Sequence, residues 1–211
     1  MPSTPNPSSS AAPADTALPG CRTLIDALDH ATAGVSDHTQ ITRAVQRALE
    51  TVIGAGDVQL PATLCEPCDG HYARHLIHRA SDGRYSALAM VWGAGQATPV
   101  HDHNDLWCVE GVVQGTIDIT AYDLLAHEDN RYRFQRGDTV RAGVGSAGRL
   151  IPPFDYHTIG NSQTHTAITI HVYGGDMNRC NIFRPETADH DAPQIAPTAW
   201  YRRESRVLSL H

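Results

Sequence analysis

The sequence predicts a mostly β protein, a double-sheet β-barrel preceded by α-helices. From about His71 onward, short runs rich in β-branched and aromatic residues are separated by Gly, Pro, Asn and Asp, with a turn about every 8–12 residues. This texture favours a sandwich or small barrel over alternating strands and helices. Upstream, between Cys21 and Val52, the apolar residues recur at spacings of three and four, the period of an amphipathic helix.

Two helices are predicted in this upstream segment. Ser36 and Asp37 stand where the N-cap of the second helix would lie, and Gly54 and Gly56 would end it. The apolar stripes consist of Leu24, Ile25, Leu28 and Ala31 in the first helix, and of Ile41, Ala44, Val45, Ala48, Leu49 and Val52 in the second.

The chain of 211 residues is long enough to bury one sizeable core, so we expect a single domain with short appendages. Residues 1–20, rich in Pro, Ser, Ala and Thr, are predicted to be a disordered leader. We expect residues 21–56 to form the helical segment and residues 57–190 the barrel. Residues 191–211 would be a C-terminal extension that packs on the barrel or is flexible.

Charge and composition indicate a small-molecule partner. The net charge is −7 and there is no basic cluster, so we expect no nucleic acid or anionic membrane as partner. No run approaches the roughly 20 apolar residues of a membrane helix. The five cysteines, an odd number without an export signal, indicate free thiols in the cytoplasm. We expect a monomer, with a dimer as the alternative.

Among the thirteen histidines, two lie one residue apart in the run TPVHDHNDLWCVEG. In an extended strand, His101 and His103 would point to the same face, where two imidazoles can bind one ion. Alone, this pattern also fits two polar residues on an exposed strand. The order of Gly95, the two histidines and Gly115 resembles the first motif of the cupin superfamily.

The second cupin motif has a counterpart further along the chain. Pro152, His157 and Asn161 keep its spacing, with Phe154 where the motif usually has glycine. The resemblance implies a jelly-roll-like double-sheet barrel with His157 as the third metal ligand. Three neutral histidines with open positions beside them suit a divalent first-row metal.

Ordinary cupins have a glutamate ligand five residues after the second histidine, where this chain has Cys108. Glu110, two residues further on, is an alternative carboxylate ligand, which would go with manganese or nickel. The run WGAGQATPVHDHNDLWC resembles the thiol dioxygenases, and cysteine dioxygenase in particular. The resemblance implies Fe(II) held by three histidines. In the animal enzymes this cysteine forms a thioether with a tyrosine, here matched by Tyr173.

Two further motifs carry the resemblance. Thr169, His171 and Tyr173 alternate along one predicted strand and resemble the family's Ser-His-Tyr relay. Tyr72 and Arg74 match its Tyr-x-Arg, in which the arginine binds the substrate carboxylate, as its planar, paired donors allow. Without the resemblance, the alternating Thr169, His171 and Tyr173 are also typical of an ordinary strand with polar residues facing solvent.

The resemblance implies a dioxygenase that adds both atoms of O2 to the sulfur of a small thiol carboxylic acid, with L-cysteine as the first choice. 3-Mercaptopropionate and mercaptosuccinate are alternatives, because Gly174 and its neighbours depart from the mammalian Ser-Pro-Pro. A non-catalytic cupin that binds metal or a small ligand is the alternative from another class. Cys65 and Cys68 form a CxxC without a second pair, and Cys180 falls where the family often has a cysteine near the pocket entrance.

Overall fold

The computed structural model describes Leu18, residues 20–186 and residues 197–210. Most of the expected leader, and residues 191–196 and 211 of the expected C-terminal extension, lie outside the described residues. The described elements, in chain order, are α1 (Arg22–Thr32), α2 (His38–Gly54), a short 3-10 helix (Ala62–Leu64), β1 (Ala73–Arg79), β2 (Ser86–Trp92), β3 (Val100–His101), β4 (Cys108–Gln114), β5 (Thr116–Glu128), β6 (Arg131–Gly143), β7 (Ala147–Leu150), β8 (His157–Gly160), β9 (Ala167–Tyr173), β10 (Arg179–Pro185) and β11 (Thr198–Val207).

The strands form two antiparallel sheets. The first has five strands in the order β1-β2-β9-β4-β7. The second has the order β10-β11-β6-β5-β8-β3 and closes on itself, because β3 pairs with β10. This architecture confirms the predicted mostly β, double-sheet barrel with N-terminal helices.

The two faces of the five-stranded sheet have different partners. Side chains alternate along a strand, so Val109 and Val172 pack outward against α2, where they join a buried cluster that includes Leu49. On the inner face, Cys108 and Tyr173 belong to a separate buried cluster between the sheets. The site described below lies on this inner face.

The helices hold β4 in place. Asp37 caps α2 as predicted, its carboxylate accepting a hydrogen bond from the Gln40 backbone N–H at 2.8 Å. The backbone of β4 approaches α2 so closely at Gly111 that an added Cβ would lie 2.8 Å from Ile53 Cδ1. In the described part of the chain, no helix has the length and apolar character needed to cross a bilayer.

The C-terminal segment differs from the expectation. Thr198–Val207 is a strand of the closed sheet, hydrogen-bonded to β10 on one side and to β6 on the other, and not an appendage. Its sequence, TAWYRRESRV, carries four charged residues whose side chains are exposed, while Tyr201 is buried in an aromatic cluster. The charges mask the strand pattern in the sequence, and only the pairing partners show it.

Candidate metal centre

Three histidines from three places in the chain meet inside the barrel. His101 ends β3 and lies directly opposite His157, the first residue of β8. The ring centroids of these two residues are 4.3 Å apart, and that of His103 lies 5.3 Å from His101 and 5.1 Å from His157. His103 is not on the strand as predicted. It lies in the following loop, which turns at Asn104 and Asp105, both with left-handed φ.

Each of these imidazoles is oriented by a contact at Nδ1. In His101, the Nδ1 atom lies 3.2 Å from the carbonyl oxygen of Pro99. In His157, it lies 2.9 Å from the carbonyl oxygen of Asp155. In His103 it lies 3.1 Å from the Asp155 carboxylate. Hydrogen bonds at Nδ1 fix the tautomer and leave Nε2 as the free ligand atom.

The residues fit a divalent first-row metal. The Nε2 atoms of His103 and His157 are buried without a hydrogen-bond partner, which costs about 1–3 kcal/mol each unless another group satisfies them. One ligand atom from each of the three histidines lies within 4.8 Å of the others. Burial lowers the pKa of His101 and of His103, which keeps both imidazoles in the neutral form that binds metal ions.

Asp155 is a site residue that the sequence analysis missed. It is buried, and its Oδ2 accepts a second hydrogen bond, at 3.0 Å, from the backbone N–H of His103. One side chain therefore fixes both the backbone and the ring of His103, while its own carbonyl fixes His157. An aspartate two residues before a predicted ligand histidine was the available signal.

Cys108 and Tyr173 are direct cross-strand neighbours. Their Cα atoms are paired in the register of β4 with β9, and both side chains are buried. Burial raises the pKa of the Cys108 thiol and of the Tyr173 phenol well above their usual values, so both groups are protonated at neutral pH. The Tyr173 ring centroid lies 5.6 Å from that of His103, which places the pair beside the histidine cluster.

Thr169, His171 and Tyr173 lie in a row on the inner face of β9, buried and not turned to solvent. Thr169 Oγ1 is 2.8 Å from His171 Nε2, and the Tyr173 hydroxyl is 3.3 Å from His171 Nδ1. Trp92, which the sequence analysis did not single out, donates from its indole N–H to Thr169 Oγ1 at 2.9 Å. The row is therefore a chain of four polar groups.

Glu110, raised from the sequence only as an alternative ligand, lies at the cluster. Its Oε1 is 3.0 Å from His171 Nδ1 and 3.4 Å from His157 Nε2. Burial raises the pKa of Glu110, but these two histidines lower it more, and it falls well below the usual range. Burial lowers the pKa of His157, but Glu110 and Asp155 together raise it, and it lies above its usual value. Glu110 is thus an ionised carboxylate inside the barrel.

One small cavity is lined both by the predicted substrate-binding residues and by residues of the histidine cluster and the β9 row. Tyr72, Arg74, His101, His171 and Tyr173 all line it. Arg74 is buried, and two of its guanidinium N–H groups donate to the carbonyl oxygens of Met177, at 3.0 Å, and Ser209, at 3.3 Å. Tyr72 stacks on Trp92 with ring centroids 4.5 Å apart. The cavity is therefore lined by a fixed cation and by two imidazoles.

Cys180 also lines this cavity, and a second cation lies next to it. Arg206 is the cross-strand partner of Cys180. Burial raises the pKa of the Cys180 thiol to about 11, although the charges of Arg74 and Arg206 lower it. Arg179 is exposed at the start of β10 and does not line the cavity.

The departure from the mammalian pattern at Gly174 has a steric reason. A Cβ at Gly174 would collide with the indole of Trp107, and the Gly174 N–H donates to the Trp107 carbonyl at 2.9 Å. Cys65 and Cys68 are partly buried against β1, and among the described residues they belong to no group that could hold a metal. All five cysteines, which lie in the described ranges, are free.

A double-sheet β-barrel with a histidine cluster between its strands places the fold in the cupin class of barrels. The model of the family "Cysteine dioxygenase type I" matches residues 68–186, more than half of the chain. The chain belongs to this family.

Two cysteine dioxygenase relatives agree with this assignment. The chain is 24% identical over 137 residues to cysteine dioxygenase type 1 of Danio rerio, covering 64% of this chain and 66% of that protein. It is 25% identical over 117 residues to the Rattus norvegicus protein, covering 55% and 57%. The matched region is thus less than two thirds of either relative. A Klebsiella pneumoniae protein with a double-stranded β-helix domain is similar with a TM-score of 0.43 and 16% identity, covering 55% of this chain and 87% of that one.

Proposed function

We propose that this protein is a non-haem iron thiol dioxygenase that converts a small thiol carboxylic acid, L-cysteine first, to its sulfinate. The observation that carries the proposal is that Arg74, His101, His171 and Tyr173 line one cavity. A carboxylate anchor, a metal ligand and a hydrogen-bonding phenol are then all within reach of one small molecule. Membership of the cysteine dioxygenase type I family supports the same reaction.

The reaction balances without a further reductant. The thiol R–SH and O2 give R–SO2⁻ and one proton, so sulfur loses the four electrons that dioxygen gains. His101, His103 and His157 would hold Fe(II), which when bound stabilises the thiolate and activates dioxygen. Asp155 keeps His103 and His157 aligned through the contacts described above.

Arg74 binds the substrate carboxylate, and Tyr72 supports it. The guanidinium is already held by the carbonyl groups of Met177 and Ser209, so little side-chain freedom is lost when the substrate binds. A planar, permanently charged group with paired N–H donors matches a carboxylate geometrically. Fixing the carboxylate orients the sulfur at the other end of the molecule toward the histidine cluster.

The row on β9 leaves the Tyr173 hydroxyl hydrogen available to the substrate. Because Glu110 is ionised and lies 3.0 Å from His171 Nδ1, that nitrogen carries a proton and donates it to the carboxylate. Tyr173 then has no acceptor at His171, and its hydrogen can point into the cavity. At the other end, Trp92 is a donor only and fixes Thr169, whose hydroxyl contacts His171 Nε2.

Oxygen uptake tests the proposal. Protein loaded with Fe(II) is given L-cysteine, 3-mercaptopropionate, mercaptosuccinate and cysteamine in parallel, and the products are identified by mass. We expect uptake with carboxylated thiols, a sulfinate product carrying both oxygen atoms, and little uptake with cysteamine, which has no carboxylate for Arg74. Absence of uptake with every thiol, in protein shown to contain iron, would favour a non-catalytic cupin that binds metal or a small ligand.

Replacing Cys108 by alanine should slow turnover modestly, within about tenfold, or about 1.4 kcal/mol of barrier. A thioether between Cys108 Sγ and the ring of Tyr173, with two hydrogens removed by dioxygen, would hold the phenol in one rotamer. The intact mass of the wild-type protein should then be lower by two hydrogen atoms, and Cys65→Ala should keep both this mass difference and the rate. An unchanged rate in Cys108→Ala would remove Cys108 from the mechanism.

We further infer that the protein acts as a monomer in the cytoplasm. Its five cysteines are free, which is the state that a reducing compartment maintains. Size-exclusion chromatography with light scattering tests the oligomeric state, and a dimer would overturn this part of the inference.

A further inference from the structure

Leu208 lines two cavities. The first is the small cavity described above, which Arg74 and Tyr173 also line, and we call it the substrate cavity. The second, which we call the outer cavity, is lined besides Leu208 by Leu76, Arg79, Leu88, Asp176, Met177 and Leu210. Among the described residues, only Leu208 and Met177 line both cavities. These two side chains therefore form the partition between the cavities.

The substrate cavity is too small for the proposed substrate. Its volume is about 20 Å³, which has room for about one water molecule. A thiol carboxylic acid, with its carboxylate, carbon chain and sulfur atom, needs several times this space. Part of the wall must therefore move before Arg74 and the histidine cluster can hold the two ends of one molecule.

Three of the four lining residues outside the strands are fixed by contacts of their own. The ring of Tyr72 stacks on an indole. Thr98 is held to β8 by two hydrogen bonds with the backbone of that strand, at 2.9 and 3.1 Å. Met177 is buried, and its carbonyl oxygen accepts a hydrogen bond at 3.0 Å from the cavity's guanidinium group. The fourth residue is Leu208.

Leu208 is held less firmly than these three residues. It follows the last residue of β11, and its side chain is only partly buried. Its backbone N–H donates to the carbonyl of Asn178 at 2.9 Å. The next carbonyl, that of Ser209, accepts from Arg74 at 3.3 Å, beyond the usual range for such a bond. Leu208 is therefore the part of the wall that moves at the lowest cost.

The outer cavity offers the space into which Leu208 can move. Its volume is about 80 Å³, larger than that of the substrate cavity. Leu88 and Leu210 give it apolar walls, so the Leu208 side chain stays in apolar surroundings when it turns. The outer cavity reaches the surface at the half-exposed ion pair of Arg79 with Asp176. A shift of Leu208 would thus join the two cavities into one passage from the surface to the substrate cavity.

We propose that Leu208 is the gate through which the substrate enters, and that with Met177 it sets the size of the thiol carboxylate that the site accepts. The inference rests on the proposed function and narrows its substrate class. The displaced leucine and the methionine form the wall beside the carbon chain, so thiol carboxylates with added alkyl branches are rejected. Leu208 lies outside the residues that the family model matches, so family membership does not imply this role.

Substrate selectivity tests the gate. Oxygen uptake is measured with L-cysteine and with penicillamine, which carries two additional methyl groups on the carbon bound to sulfur. In Leu208→Ala, we expect the ratio of kcat/KM for penicillamine to that for L-cysteine to rise at least about tenfold, because one methylene in an apolar pocket is worth about 10–200-fold. Val207→Ala should match the wild type, because Val207 is 75% exposed and lines neither cavity.

A larger side chain at the gate should have the opposite effect. Leu208→Phe fills the outer cavity, so we expect kcat/KM for L-cysteine to fall at least about tenfold through a higher KM. The value of kcat should stay within about twofold, because the gate acts on binding and not on the reacting atoms. Val207→Phe is the matched control. An equal loss of kcat in Leu208→Phe would show general damage to the site and contradict a gate.

A crystal structure gives a test that does not depend on turnover. Crystals of the wild-type protein are soaked with 3-mercaptopropionate without oxygen, so that the thiol stays unreacted. We expect the thiol carboxylate in the substrate cavity and the Leu208 side chain in the outer cavity. A bound thiol with Leu208 in its present position would overturn the gate. This structure also decides the question should the Leu208 variants not fold.

Anaerobic titration calorimetry with the same thiols separates this inference from the proposed function. Binding of penicillamine that is gained in Leu208→Ala, without oxygen uptake by the wild type, would keep the gate and remove the dioxygenase. Uptake by the wild type, with unchanged selectivity in Leu208→Ala, would keep the dioxygenase and remove the gate.

Discussion

Replacing His157 by alanine should remove iron and reduce oxygen uptake to background. His157 is fully buried, its Nδ1 is fixed by the Asp155 carbonyl oxygen, and its Nε2 has no hydrogen-bond partner. Alanine deletes that ligand atom and leaves Glu110 with one fewer neighbouring imidazole. We expect the affinity for Fe(II) to fall by more than about 100-fold, because even an outer-shell partner is worth up to that factor.

The measurement is iron content after desalting, together with oxygen uptake under saturating thiol. His165→Ala is the matched control, because His165 is exposed and belongs to neither group of candidate metal ligands among the described residues. Far-ultraviolet circular dichroism of the apo proteins checks that the barrel is retained. A folded His157→Ala protein that kept both its iron and its uptake would show that the histidine cluster is not the metal site.

Replacing Arg74 by alanine should selectively impair carboxylated thiols. The guanidinium is buried in the wall of the cavity that His101 and Tyr173 also line. Truncating one partner of a buried charge pair costs about 2–5 kcal/mol, so kcat/KM should fall by about 30-fold or more for such a substrate. Arg74→Lys should recover part of this loss, because lysine keeps the charge but lacks the paired donors.

Cysteamine separates binding of the carboxylate from general damage to the site. Arg74 also holds the carbonyl groups of Met177 and Ser209, so its removal can disturb the cavity wall for every substrate. We expect the weak rate with cysteamine to change far less than the rate with L-cysteine. Arg43→Ala, on the exposed face of α2, serves as the control. Equal losses for both thiols would exclude Arg74 as the carboxylate anchor.

Part of the fold could be predicted because local patterns report burial directly. The spacing of apolar residues in α1 and α2 follows the helical period, and Asp37 is a cap residue by its chemistry. The strand texture after His71 predicted the barrel for the same reason. β11 was missed because its charged side chains are exposed and its pairing partners are distant in sequence.

The site was predictable wherever a motif or a strand period carried it. Alternation places Thr169, His171 and Tyr173 on one face of β9, and the His-x-His spacing brings His101 and His103 together even though the strand ends between them. Spacing alone did not predict the contacts that orient these side chains. Asp155 and Trp92 act through contacts with residues far away along the chain.

By itself, the sequence determined the residue types, the periodicity of the elements and the motifs that suggest a three-histidine site. Only the tertiary structure decided which residues meet. The pairing of β4 with β9 brings Cys108 opposite Tyr173 and Glu110 opposite His171, because one register of an antiparallel pair sets every cross-strand neighbour at once. The location of Glu110, two residues after the position where cupins usually have a glutamate ligand, therefore depends on strand pairing. No local sequence pattern encodes that pairing.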